Sequence, residues 1–236
     1  WWNAGHILGS ASVELEVETG SEQLPRFSIL FSGDLGPQDG ALQQSPRGPQ
    51  GMDYVLCEST YGNRERPDLD DDQRRDVLAR EVTQVLGNGG NLIVPAFAIE
   101  RSQELLGDLV YLMARGKLPK APIYLDSPLA IRATEVFERH LKHLDDVDSH
   151  AGSPFRAPNV HFVQSVEQSM ALNRIAGGAI IVASSGMCDA GRIRHHLRNQ
   201  LWRPQNTVLL IGYQAPGTLG RLLQEGAEQV KIMGEE

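Results

Sequence analysis

The chain has 236 residues, 41% of them hydrophobic and 22% charged, enough for one large or two modest globular domains and unlike a disordered, collagenous or coiled-coil protein. No apolar run reaches the roughly 18 residues needed to cross a bilayer, and Cys57 and Cys188 have neither disulfide-framework nor zinc-knuckle spacing, so a cytoplasmic protein is expected. The net charge of −8 argues against sequence-independent coating of nucleic acid.

In chain order, residues 11–18 alternate apolar and charged residues, the pattern of a half-buried strand. Gly20 turns the chain into a second strand, Arg26 to Phe31, and a Gly- and Pro-rich loop over 36–52 leads to a third, Tyr54 to Cys57. After Gly62 helices alternate with short apolar strands, the texture of an α/β layer with parallel strands. Helices are expected over 70–86, 99–114, 129–140, 165–174 and 190–201, and strands over 91–94, 122–125, 160–163, 178–183, 207–212 and 229–233. Trp1-Trp2-Asn3 reads as the interior of something longer, and the last residues as a strand just finished, so a fragment cut at both ends is expected.

Polar residues gather where strands end, the places where layered folds bind ligands. Gly5-His6 precedes the first hairpin, Asp34 follows its second strand, Glu58 follows the third, and Ser184-Ser185-Gly186-Met187 follows the strand of 178–183. His6 with Asp34 suits a divalent metal only if other ligands join them, because zinc sites need at least three protein ligands. His140, His143, Asp145, Asp146, Asp148 and His150 have the residue types of a metal site but the order of a helix end followed by a polar loop. No Asp or Glu occurs from Ala190 to Gln224, where Arg192, Arg194, Arg198, Arg203 and Arg221 stand with His195 and His196. Either a local anion site or a solvated basic helix face accounts for that window. Free N–H groups at the helix start after Ser185-Gly186, with guanidinium groups beside them, would suit a phosphate. Arg101, opening another helix, is either a further anion contact or a salt-bridge partner.

Six segments taken together resemble the beta-CASP branch of the metallo-β-lactamase superfamily, whose members are largely nucleases acting on RNA and in some branches DNA. They are Ala4 to Ala11, Ser32 to Gly36, Glu58 to Gly62, Pro95 to Glu104, Tyr124 to Ala130 and Ser185 to Leu197. The chain is most similar to bacterial and archaeal members that resemble the pre-mRNA 3′-end processing endonuclease. The resemblance implies part of a metallo-β-lactamase αββα sandwich over 1–62, an inserted beta-CASP α/β domain with a mainly parallel sheet over 63–229, and the start of a return to the first domain over 230–236. It implies two zinc ions per complete active site, His6 as a ligand of the first, Asp34 as a bridge between both, and Glu58 as the partner that orients a general-acid histidine. That histidine, the His-x-His-x-Asp-His motif and two further histidine motifs belong to the family pattern but not to these residues.

The activity so implied is zinc-dependent hydrolysis of RNA phosphodiester bonds by the full-length protein, the fragment alone being inactive, with Ser185, Gly186, Arg192, Arg194 and Arg101 along a channel for the strand's phosphates. Single-stranded RNA is the expected partner, no membrane is, and a homodimer stays open. A catalytically inactive RNA-binding or scaffold member of the same fold is the alternative. A small-molecule phosphate or ester hydrolase would not need residues 63–229 as a cap.

Overall fold

The structure is a computed structural model and describes residues 1–38, 42–63, 65, 70–141 and 153–234. It divides into two compact units, the first lying before Asp70 and the second built from Asp70 onward.

The first unit is a four-stranded sheet in the order β1 (Trp2–Asn3), β2 (Ala11–Glu18), β3 (Arg26–Phe31) and β4 (Tyr54–Leu56). The alternation of residues 11–18 makes β2, which pairs antiparallel with β3 from Val13 opposite Phe31 to Glu18 opposite Arg26. β4 runs parallel to β3, Ile29 opposite Tyr54. That register is locked by Asp53, whose carboxylate accepts the Ser28 amide at 2.8 Å and hydroxyl at 2.9 Å while its own N–H donates to Ser28 Oγ at 3.1 Å. These Ser28 bonds hold the Asp53 carboxyl below its ordinary pKa.

The second unit is α/β, as the alternating texture predicts. Its five strands are all parallel, in the order β7 (Val160–Phe162), β6 (Ile123–Asp126), β8 (Ile180–Ala183), β5 (Leu92–Pro95) and β9 (Thr207–Val208). Leu92, Ile93, Val94, Ile123, Leu125, Ile180, Ile181 and Val182 are fully buried, as expected of strands covered on both faces. The helices are α1 (Asp71–Gly87), α2 (Arg101–Ala114), α3 (Pro128–Arg139), α4 (Val166–Leu172), α5 (Ile193–Gln200) and α6 (Leu219–Gln224). Side chains start them: Asp70 with Gln73 and Ser165 with Gln168 form capping boxes, and Ser127 caps α3 with Pro128 in its first turn. Asp108 on α2 receives both Arg74 and Arg75 of α1, which ties the two helices together. No helix among the described residues is long and apolar enough to cross a membrane.

Three elements differ from expectation. The strand expected over 207–212 stops at Val208. Its ladder with β5 would next require the N–H of Pro95, after Leu209 N–H donates to the Ile93 carbonyl at 2.9 Å, and proline has none. The strand expected over 229–233 is reduced to a single bridge residue. Val230 and Ile232 are anchored instead by packing on the cluster of Ile93, Cys188, Ile193 and Leu197. The six-residue α6, capped by Thr218, is too short for apolar periodicity to reveal.

Candidate functional site

In the first unit the ends of β1, β3 and β4 converge through backbone contacts. Gly36 N–H donates to the Ala4 carbonyl at 2.9 Å, and Gly36 lies so close to Gly5 that an added Cβ would stand 1.7 Å from the Gly5 oxygen. Only glycine permits that approach. The Gly5-His6 turn is held from inside by Ser10, whose hydroxyl accepts the amides of His6 at 3.0 Å and Ile7 at 3.2 Å. Buried Ser32 joins the other two ends: its amide donates to Leu56 O at 2.9 Å, its carbonyl accepts Ser12 Oγ at 2.7 Å, and its hydroxyl oxygen accepts the Glu58 amide at 2.9 Å.

Glu58 then folds over this junction, accepting the amide of Thr60 at 2.8 Å on one oxygen and, on the other, that of Leu35 at 3.4 Å. The Thr60 amide, above all, holds the Glu58 carboxyl below its ordinary pKa; slight burial opposes it, and the Leu35 amide and the charge of His6 add to it. His6 is half-buried, Asp34 is exposed, and among the described residues Asp34 forms no hydrogen bond or ion pair. The structure thus gathers the segments carrying His6, Asp34 and Glu58 at one end of one sheet. No three His, Cys, Asp or Glu side chains among the described residues form a group able to hold a metal ion. His6 and Asp34 have the right donor chemistry for zinc, but the described donor set is incomplete. Of the metal-like run near the end of α3, His140 is the residue that ends the helix, and positions 143–150 lie outside the described residues.

The strand ends of the second unit are organised around Asp126, the last residue of β6, fully buried. One oxygen accepts Arg192 Nη1 at 2.6 Å; the other accepts Ser169 Oγ at 2.5 Å and His196 Nε2 at 2.6 Å. An ionised carboxylate only accepts, so Nε2 of His196 carries the proton of this bond, while its buried Nδ1 has no partner among the described residues. Burial pushes the Asp126 pKa up, but the bonds from His196, Ser169 and Arg192 outweigh it and hold the pKa below the ordinary value. Beside this hub Ser184 donates to the hydroxyl of Ser127 at 2.9 Å.

The expected phosphate contacts have divided fortunes. Arg192 is committed within the protein, its guanidinium also donating to the carbonyls of Val163 at 3.1 Å and Gln164 at 2.8 Å. The start of α5 offers fewer free N–H groups than the sequence suggests, because Ile193 donates to Ser184 O and both His195 and His196 donate to Arg192 O. Arg203 binds the carbonyls of Ile175 and Asn173, and Arg221 pairs with Glu225. Arg101 pairs with Glu104 while 41% of its side chain stays exposed. Arg194 alone of these has a side chain that forms no hydrogen bond or ion pair among the described residues. His195 is exposed and His196 buried. Ser185 accepts the Ala190 amide at 3.3 Å, and buried Gly186 lies against Phe97. The sequence marks His196 only as part of the basic window, and Asp126 and Ser32 only as members of the matched segments, without a role. Their signal is position, a polar residue at a strand end or on the inner face of a helix, and it becomes legible only once the partners are known.

The Beta-Casp domain family matches residues 102–223, about half of the chain. A protein of Thermus thermophilus named Ribonuclease TTHA0252 is 37% identical over 238 residues, covering 99% of this chain and 52% of its own length. A Methanocaldococcus jannaschii protein named RNase J-like protein is 35% identical, with 98% and 52% covered. A Methanosarcina mazei protein named Transcription termination factor FttA is 30% identical, with 99% and 37% covered. The chain thus spans about half the length, or less, of these curated relatives. Its Beta-Casp domain, together with the six ordered motifs that run through both units, means that the chain belongs to the beta-CASP branch of the metallo-β-lactamase superfamily.

Proposed function

We propose that the full-length protein is a zinc-dependent ribonuclease that hydrolyses phosphodiester bonds of single-stranded RNA. The observation that carries this reading is the convergence of the His6, Asp34 and Glu58 segments on one sheet end, with the Asp34 carboxylate exposed and neither carboxylate in an ion pair among the described residues. The names of the ribonuclease and RNase J-like relatives support the reaction class.

Zinc, when bound, would supply an activated water and stabilise charge on the phosphate. His6 and Asp34 would contribute ligands, and ligands outside the described residues would complete the set. Glu58 acts as a positioning residue: its oxygens, fixed by the Leu35 and Thr60 amides, accept an N–H from a histidine outside this chain and hold that ring toward the leaving oxygen. In the second unit Arg194, Arg101 and the Ser185-Gly186 turn contact the strand's phosphates, while Arg192 positions the turn through Asp126.

The test compares the full-length protein with the 236-residue chain on end-labelled single-stranded RNA, with and without chelator. The full-length protein is expected to cleave and to lose activity with chelator, and the chain alone to be inactive and to retain zinc weakly. In the full-length protein, His6→Ala and Asp34→Asn should lower bound zinc as read by elemental analysis. Glu58→Gln should leave zinc content unchanged while slowing cleavage about 10²- to 10⁴-fold, the usual worth of an oriented general acid. Cleavage indifferent to chelator would overturn the zinc mechanism, and intact zinc sites without RNA cleavage would favour the scaffold alternative.

A further inference from the structure

Phe97 is an aromatic side chain that the fold keeps out of the core and yet holds in place. It follows Pro95-Ala96 at the end of β5, 39% of it is exposed, and Ile99 beside it is 41% exposed. One edge of the ring rests on bare backbone. A Cβ at Gly186 would stand 2.8 and 2.9 Å from ring atoms Cδ2 and Cε2, and a Cβ at Gly212 would lie 3.5 Å from Cε2. Those two glycines are tied together by Gln214, 2% exposed, whose Nε2 donates to both of their carbonyls at 3.0 Å. Any side chain at position 186 would push the ring away.

The backbone of Phe97 is fixed as tightly as its ring. Ser102 Oγ donates to the Phe97 carbonyl at 2.7 Å, and buried Gln103 donates to the Ala98 carbonyl at 3.2 Å. Arg101 N–H closes a three-residue turn on the Ile99 carbonyl at 3.0 Å, which places Glu100 at φ 70° and ψ −69°, a strained conformation for a residue with a side chain. The Phe97 ring is clamped at a strand's C-terminal end, where parallel sheets present ligands, with an open surface. The half-exposed Arg101 follows four residues later, and Arg194 lies on α5, just beyond the turn whose Gly186 meets the ring.

We propose that Phe97 is a stacking platform for a base of the bound RNA strand, with Gly186 and Gly212 as its bed; this rests on the reading that the full-length protein takes single-stranded RNA. A ring fixed before binding loses little freedom on engaging a base, and because every base has a π face the contact tolerates sequence. Phosphate contacts would hold the strand, and Phe97 would distinguish a strand with bases from a bare sugar-phosphate chain.

The experiment measures binding of the full-length protein, in chelator to prevent cleavage, to a fluorescent single-stranded RNA and to an abasic oligomer of equal length. Phe97→Leu, which keeps apolar contact with the glycines but has no π face, and Phe97→Ala should weaken RNA binding roughly 5- to 150-fold. Neither should change binding of the abasic oligomer or the salt slope, and Phe97→Trp should retain affinity with its fluorescence quenched by RNA. Gly186→Ala, which displaces the ring and alters a phosphate contact together, should weaken binding of both oligomers. RNA binding unchanged in Phe97→Leu and Phe97→Ala, or an equal loss on the abasic oligomer, would overturn the stacking role and leave the ring to a protein contact. A wild-type protein that binds no RNA would instead overturn the functional reading itself.

Discussion

The two units end their strands in opposite ways. In the first, the carboxylates of Asp34 and Glu58 form no ion pair among the described residues: one is exposed, and the other accepts two amides. In the second, Asp126 is sealed from solvent and shared among an arginine, a serine and a histidine. A carboxylate with unspent lone pairs can act on something that arrives, whereas one whose acceptor capacity is used is part of the architecture. The same holds for the cations: Arg192 is spent on Asp126 and two carbonyls, and Arg194 is not.

The largest test of this contrast removes the second unit's hub. Asp126→Ala leaves Arg192 and His196 facing an empty, buried position, and should cost about 3–5 kcal/mol in denaturant unfolding. Asp34→Ala should change stability by no more than about 0.5 kcal/mol. Equal effects would erase the distinction between architectural and available carboxylates. Gly36→Ala should destabilise by about 1–3 kcal/mol or more, because its methyl group would meet the Gly5 carbonyl rather than a side chain able to move.

Acid should find the second hub as well. The folded-state pKa of Asp126 is lowered, so its contribution to stability is complete above the ordinary carboxylate value and is lost as pH falls through the lower folded one. Unfolding followed from pH 5 downward should show a decline that Asp126→Asn, already destabilised, largely lacks; parallel curves would place the acid sensitivity elsewhere.

Smaller effects sharpen the comparison among cations and thiols. Arg194→Ala should reduce the salt slope of RNA binding by about one while leaving thermal stability in place, and Arg192→Ala should lower stability. Cys57 is exposed, whereas burial pushes the Cys188 thiol up to about 12. A thiol reagent at pH 8 should therefore label Cys57 and reach Cys188 only on unfolding; prompt labelling of both would contradict the packing around α5.

Much of this was legible in the residues themselves. The alternation of 11–18 dictates a half-buried strand, the apolar runs at 92–95 and 180–183 dictate buried ones, and capping residues such as Asp70, Ser127 and Ser165 mark helix starts, because each signal acts over a few neighbouring positions. The His6, Asp34 and Glu58 segments were visible for the same reason, as polar residues ending strands. Tertiary structure alone decided what those residues spend their bonds on. Arg192 and Arg194 sit two positions apart in one basic window, yet only one meets a carboxylate 66 residues away in sequence. Phe97 reads as one more apolar residue until Gly186 and Gly212 are found beneath its ring. Local pattern sets the elements, but whether a charge is spent or free, and a ring covered or presented, depends on partners that only long-range folding brings within a few ångströms.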